Sequence, residues 1–229
     1  MTNVMKNEKG FTLLEIIVVL AVLGALAAML SPVVFRYIDD ANQARAQADV
    51  RTIATAIQRM YSDTGRWAYY ADGNGATAYA STTDAAYLVS GTCLLEGTAA
   101  DNLGECITAA NATLTGTPLT TFLGSAAGWT QADNADGLTR QLVTNEGDAG
   151  VRYNATGVGR LWKGPYTDAI PAVDAWGNPY LVNIGDAATS AQAVFVVSAG
   201  LNGVVETSAS TDSTTNLTPG GDDIIARVK

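Results

Sequence analysis

Histidine is absent from this 229-residue chain. That removes imidazole-based acid–base chemistry and His-ligated zinc from consideration. Cationic residues are sparse as well: 13 Lys and Arg stand against 22 Asp and Glu, for a formal charge of -9. No Lys/Arg cluster occurs, so the phosphate-neutralising surface that nucleic-acid binding needs is missing, and no nucleic-acid partner is expected. Cysteine is limited to Cys93 and Cys106, too few for a disulfide-dense mini-domain. No Asp/Glu pair sits in a recognisable catalytic setting, and the chain is expected not to be an enzyme. Charge is also nearly missing from one long stretch. Between Phe11 and Leu30 the single ionisable side chain is Glu15.

That stretch dominates what is present. Twenty residues at ~1.5 Å each span the ~30 Å hydrocarbon core of a bilayer. A carboxylate inside such a span costs on the order of 2.5–3.5 kcal/mol, so Glu15 calls for a partner or a task. Lys6 and Lys9 precede the span and hold residues 1–10 on the cytoplasmic side, which leaves the C-terminal bulk exported. The small residue Gly10 lies before the apolar stretch, where a secretory signal would place its cleavage site after it. The apolar segment is therefore expected to be retained.

Ser31-Pro32 follows, and a proline removes one helical hydrogen bond. A kink or a melted turn is expected there. Beyond it the helix resumes with an amphipathic face, Val50, Ile53, Ile57 and Met60, and ends at Ser62-Asp63-Thr64-Gly65 with Gly65 as a left-handed cap. Arg45 and Asp49, four apart, are placed to pair. A helix of more than fifty residues broken near Pro32 makes sense when one half lies in a membrane or filament core and the other on a globular head.

From 66 to 160 the chain is rich in Gly, Thr, Asn and Ala with weak periodicity, and it reads as an elaborated surface region. Within it, 120–123 and 138–143 are short strands or helical turns. A Cys93–Cys106 disulfide is more plausible there than a metal or redox site, and would stabilise its loop by roughly 3 kcal/mol. From Leu161 the signals sharpen. Tyr180 to Ile184, Ala193 to Ser198 and Ile224 to Val228 read as strands, and Gly177-Asn178-Pro179 as the turn that feeds the first. Three or four short antiparallel strands are expected on the Val50/Ile53/Ile57 face, an α+β fold.

A short basic leader ending in Gly10, then Phe11-Thr12-Leu13-Leu14-Glu15-Ile16 and an apolar helix, resembles the class III signal of type IV pilins and type II secretion pseudopilins. The resemblance implies cleavage after Gly10 by a prepilin peptidase, methylation of the Phe11 amine, and packing of residues 11–30 into the core of a homopolymeric filament. Removing Lys6, Glu8 and Lys9, net +1, takes the charge from -9 to -10. Glu15 would pair with the terminal amine of a neighbouring subunit, and Pro32 would let the helix bend or unwind as subunits pack. An inner-membrane assembly platform and minor pilins or pseudopilins are the further partners implied. The subunit would sit in the inner membrane before assembly and in a periplasmic or cell-surface filament afterwards.

Trp176-Gly177-Asn178-Pro179-Tyr180, Ser198-Ala199-Gly200 and Asp222-Asp223-Ile224 are similar to the C-terminal half of major pseudopilins. On that resemblance the chain divides into a leader (1–10), the N-terminal helix (11–65), an inserted variable region (66–160) and a C-terminal β region with its loop (161–229). The resemblance also implies calcium in the loop after the strand ending at Gly200. Asp222, Asp223, the Asn202 side chain and the Leu201 carbonyl can supply part of the roughly six to eight oxygens that calcium takes. Asn202 stands where the family commonly has Asp, and Ser208 to Thr218 lengthens the loop.

Three functions are compatible with these features. The first is a major-pseudopilin subunit of a short periplasmic fibre. The second is a type IV pilin forming a long surface pilus for adhesion or motility, which chain length, the inserted region and the disulfide favour. The third is a membrane-tethered glycan-binding or glycan-cleaving protein, with Trp67, Tyr69, Trp129 and Trp162 as stacking aromatics.

Overall fold

The computed structural model describes residues 11–65, 67, 87–90, 103, 106–107, 119–124, 129, 135–147, 150–151, 161–184, 193–209 and 217–229. The chain divides into two compact units, residues 1–41 and Asn42–Lys229.

In the first unit the described chain is almost entirely helix. Helix α1 is assigned from Leu13 to Thr64, 52 residues, and begins at Thr12, whose Oγ1 accepts the Glu15 N–H at 3.3 Å. Thr at the N-cap with Glu three residues on is a capping-box pattern, and Glu15 also puts its charge in the first turn. Every side chain from Phe11 to Ala41 is exposed, including Phe11 at 79%. This part of α1 is long and apolar enough to cross a membrane, and none of it is covered by its own chain.

Of the two expectations at Ser31-Pro32, the melted turn is absent. The helix runs through Pro32 without interruption. Proline deletes a single donor, and the hydrogen bonds of the neighbouring turns keep the ladder in place across that gap.

The second unit is the head, and its first element is the remainder of α1. Ala46, Val50, Ile53, Ile57 and Met60 are all buried, as the spacing predicts. Gly65 ends the helix at φ 70° and donates its N–H to the Tyr61 carbonyl at 2.7 Å, the left-handed cap expected there. The buried face packs on a five-stranded sheet. Its strands are β1 (Tyr87–Val89), β2 (Ala135–Gly137), β5 (Leu181–Asn183), β6 (Phe195–Ser198) and β7 (Ile224–Arg227), in the order β2-β1-β5-β6-β7. Four of them are antiparallel, and β2 is added parallel to β1. The four-residue helix α2 (Leu119–Phe122), a single π-helical turn (Arg140–Thr144) and a hairpin of β3 (Glu146–Gly147) and β4 (Gly150–Val151) complete the described elements.

The sheet is buried on both faces. Leu88, Val182, Val194 and Val196 point to α1, while Tyr87, Val89, Leu181, Phe195 and Val197 point the other way. On that second face lie Leu103, Ile107, Phe122, Leu123, Trp129 and Val205. Residues 66–160 are thus not surface elaboration alone. They supply two strands of the five-stranded sheet and much of a second core. The physical signal is the unbroken run Val194-Phe195-Val196-Val197, because a strand covered on both sides loses the apolar–polar alternation of a half-exposed one.

Two polar contacts set the sheet against the helix. The Tyr180 hydroxyl donates to Asp49 Oδ2 at 2.8 Å, with Arg45 at 3.7 Å from the same carboxylate. Burial and the Asp49 charge hold the Tyr180 hydroxyl far above its usual pKa, so it stays a donor. At the other end of the sheet, Gln58 Nε2 donates to the Val228 carbonyl at 2.8 Å.

Candidate functional site

Two places were expected to carry function. At the N-terminal one, Gly10 lies outside the described residues. Phe11 and Glu15 are exposed, and the Thr12 carbonyl accepts the N–H groups of both Glu15, at 3.1 Å, and Ile16, at 3.3 Å. With Thr12 as the cap, Glu15 is held on the first helical turn beside the backbone that cleavage after Gly10 would turn into a free amine. Pro32 is one more exposed helical residue.

The second place is the turn after β6. Gly200 takes φ 66°, and a side chain on it would run into the Asp222 backbone, so the two loop segments approach closely there because one of them is glycine. Asn202 ties the segments together. Its N–H donates to Asp222 Oδ2 at 2.9 Å, its Oδ1 accepts the Val204 N–H at 2.7 Å, and its Nδ2 donates to Glu206 Oε2 at 3.1 Å. Gly220 and Gly221 pass directly under Glu206, and a Cβ on either would collide with it.

Asp223 is buried, at 5% exposure. Its Oδ2 accepts the N–H groups of Glu206 at 2.8 Å and Thr207 at 2.6 Å, while its buried Oδ1 has no partner among the described residues. Burial pushes the Asp223 pKa above the ordinary carboxylate value. Hydrogen bonds from Thr207 and Glu206 oppose that shift, and the Glu206 charge reinforces it.

The structure therefore brings Asn202, Asp222 and Asp223 into one loop cluster, with Leu201 exposed beside them. It adds Glu206 to the residues expected there. The available signal was an acid near the start of a loop that closes on two more. Among the described residues no three Asp, Glu, Cys or His side chains converge as a metal-binding group.

A third constellation fastens the Trp-Gly-Asn-Pro turn to this cluster. Asp174 Oδ1 accepts the N–H groups of Trp176 at 3.0 Å and Asn178 at 2.9 Å, and Oδ2 accepts the Ser198 hydroxyl at 2.6 Å. Gly177 adopts φ 94°, as the turn requires. The Asn178 side chain lies against Gly203, so the turn and the loop after β6 share a wall. Burial raises the Asp174 pKa, and its four hydrogen-bonding neighbours hold it down. Both its oxygens are occupied by the protein's own donors, which marks Asp174 as a clamp.

Of the remaining candidates, Cys106 is buried at 2% exposure and is not a free thiol, while Cys93 lies outside the described residues, as does Tyr69. Trp129 is in the second core, with its Nε1 donating to the Thr207 carbonyl at 2.7 Å. Trp162 packs edge-on against Tyr166, and Trp67 stacks on Tyr61 at 4.1 Å. These rings are spent on one another and on the core.

Residues 5–31 match the model of the prokaryotic N-terminal methylation motif. The chain carries the N-terminal motif of the type IV pilin and pseudopilin class. It is 43% identical over 56 residues to the type II secretion system core protein G of Pseudomonas aeruginosa, covering 24% of this chain and 39% of that protein. It is also 31% identical over 75 residues to the toxin coregulated pilin of Vibrio cholerae, covering 33% of this chain and 34% of that one. The chain thus spans between a third and two fifths of the length of these pilin and pseudopilin relatives. No solved structure matches it.

Proposed function

We propose that this chain is a structural subunit of a helical filament, of the type II secretion major-pseudopilin type. The observation that carries the proposal is α1, whose N-terminal half is apolar, capped by Thr12 and left bare by the rest of its own chain. A bare apolar helix is stable in lipid before assembly and against copies of itself afterwards. Prepilin peptidase would cut after Gly10 and expose the Phe11 amine, the group to be methylated. The cation so created and Glu15 are the two charges left in the apolar segment, and each relieves the other's burial when subunits pack.

The choice of the pseudopilin type rests on the segment from Asp174 to Tyr180 and the acidic loop from Leu201 to Asp223. A type IV pilin forming a long surface fibre is the second reading, favoured by the similarity to a pilin over 75 residues. The partners proposed are further copies of this chain, prepilin peptidase, an inner-membrane assembly platform and minor subunits. Sheared cells distinguish the two readings. For a pseudopilin, the processed chain starting at a methylated Phe11 stays with the envelope at ordinary expression, whereas long fibres recovered by shearing establish a pilin. Glu15→Val is expected to leave processing intact and to abolish incorporation into fibres; normal incorporation would exclude the amine–carboxylate pairing.

Calcium in the acidic loop is part of the proposal. Asp223 Oδ1, buried and unpartnered among the described residues, is the kind of oxygen a cation would satisfy. Asp222, the Asn202 side chain and the Leu201 carbonyl are the groups that would share in holding the ion. Its contribution would be to neutralise the acids and fasten the two loop segments. A Cys93–Cys106 disulfide, closing its loop in the exported head, is proposed with it.

A further inference from the structure

A filament subunit must present two complementary surfaces, and the charge distribution of the head indicates where they are. From Gly164 to Ala226 the sequence holds seven Asp and Glu and no Lys or Arg. Two of those acids, Glu206 and Asp222, are exposed side by side, joined through Asn202. On α1 the balance is reversed. Between Val50 and Ser62 lie Arg51 and Arg59 and no acid, and both arginines are exposed. Neither forms an ion pair among the described residues, whereas the flanking acids are engaged, Asp49 by Tyr180 and Arg45, and Asp63 by Lys163 at 3.1 Å.

The ridge that carries these arginines is low. Its other exposed residues include Ala48, Thr52 and Thr55, and both threonines turn their hydroxyls back onto their own helix, to the carbonyls of Ala48 at 2.9 Å and Arg51 at 2.8 Å. Methyl groups, two guanidinium groups and the Gln58 side chain are what a neighbour would meet. Within one head Arg59 and the loop stand at opposite ends of the sheet. The pairing of Ser198 with Ile224 sets the loop at the sheet end level with Asp49, where Tyr180 reaches α1. Gln58, beside Arg59, is level with the opposite end, at Val228.

We propose that the outward ridge of α1 in the head, through Arg51 and Arg59, docks the Glu206/Asp222 loop of a second copy of this chain. A patch and its complement at different places on one surface make a heterologous contact, which propagates into an open helix wherever its rotation does not close into a ring. Guanidinium groups suit the task because they bind carboxylates through two parallel hydrogen bonds. The inference rests on the filament-subunit reading and adds which surfaces meet.

The test is a charge swap in the full-length chain, at fixed calcium, read as the fraction of processed protein in fibres. Arg59→Glu and Glu206→Arg should each lower that fraction about tenfold or more, the factor that ~1.4 kcal/mol per contact gives. Combining them in one chain should restore it. Wild-type fibre yield from either single variant, or no recovery in the combination, overturns the docking. Should a reversal unfold the head, seen as lost protease resistance, Arg59→Gln and Glu206→Gln replace it. Their combined loss should not exceed the larger single loss, because both remove the same pair, and additive losses overturn the proposal. If correctly processed wild type never enters fibres, the filament reading itself fails and takes this inference with it.

Discussion

Asp174 and Asp223 show how much of the head rests on two buried carboxylates. Both have pKa values raised chiefly by burial, so each native site holds its proton to a higher pH than the unfolded chain, where Asp titrates near ~3.9. The native state then binds more protons in that window, and stability falls as pH rises from about 4 through the raised native values. A melting series on the detergent-solubilised chain with chelator should show this decline. Calcium, if it binds as proposed, should remove the part owed to Asp223 and raise the melting temperature; a wild-type curve indifferent to chelator and calcium would exclude the site. Ser198→Ala deletes a donor that holds the Asp174 pKa down. It should cost about 1–3 kcal/mol near neutral pH, with the loss shrinking in acid as Asp174 protonates. At this scale the sequence was partly legible. Asp222 and Asp223 announced a polar cluster, but Glu206 enters it only because Gly220 and Gly221 let the chain pass beneath its side chain, a three-dimensional coincidence with no local pattern.

Among the elements, α1 was the most legible, because an apolar run and a 3.6-residue period are carried by single side chains. Its bounds and its Gly65 cap follow from the residues. The uninterrupted passage through Pro32 does not, since a local propensity is weighed there against many intact neighbouring turns. Strands β5, β6 and β7 lie within their predicted runs. Strands β1 and β2 were not legible, being three residues each in a stretch of small polar residues, and held by pairing with partners far along the chain. The two-faced burial of the sheet yields a comparison at this scale. Ile57→Ala opens the core against α1 and Phe122→Ala the core on the opposite face; they should cost about 2–5 and about 3–5 kcal/mol respectively, measured by urea unfolding. If residues 103–135 only decorated the surface, Phe122→Ala would fall within about 0.5 kcal/mol of wild type.

For the whole molecule the decisive feature is that one helix runs through two compact units, the first left bare and the second built around two cores. Residues 1–41 bury none of their described side chains, whereas Asn42–Lys229 contains both cores, the whole sheet and every polar clamp among the described residues. The head should therefore not need the apolar half in order to fold. A chain beginning at Asn42 is expected to be soluble without detergent and monomeric, with a melting temperature close to that of the head in the full chain. It should not enter fibres even in cells that make wild type. Conversely, residues 11–41 fused to an unrelated soluble domain should remain membrane-bound and be released only by detergent. Sedimentation of the two proteins side by side checks both statements. A truncated head that aggregates or stays unfolded would mean that the bare helix contributes to head stability, and the assignment of residues 11–41 to membrane and filament alone would have to be withdrawn.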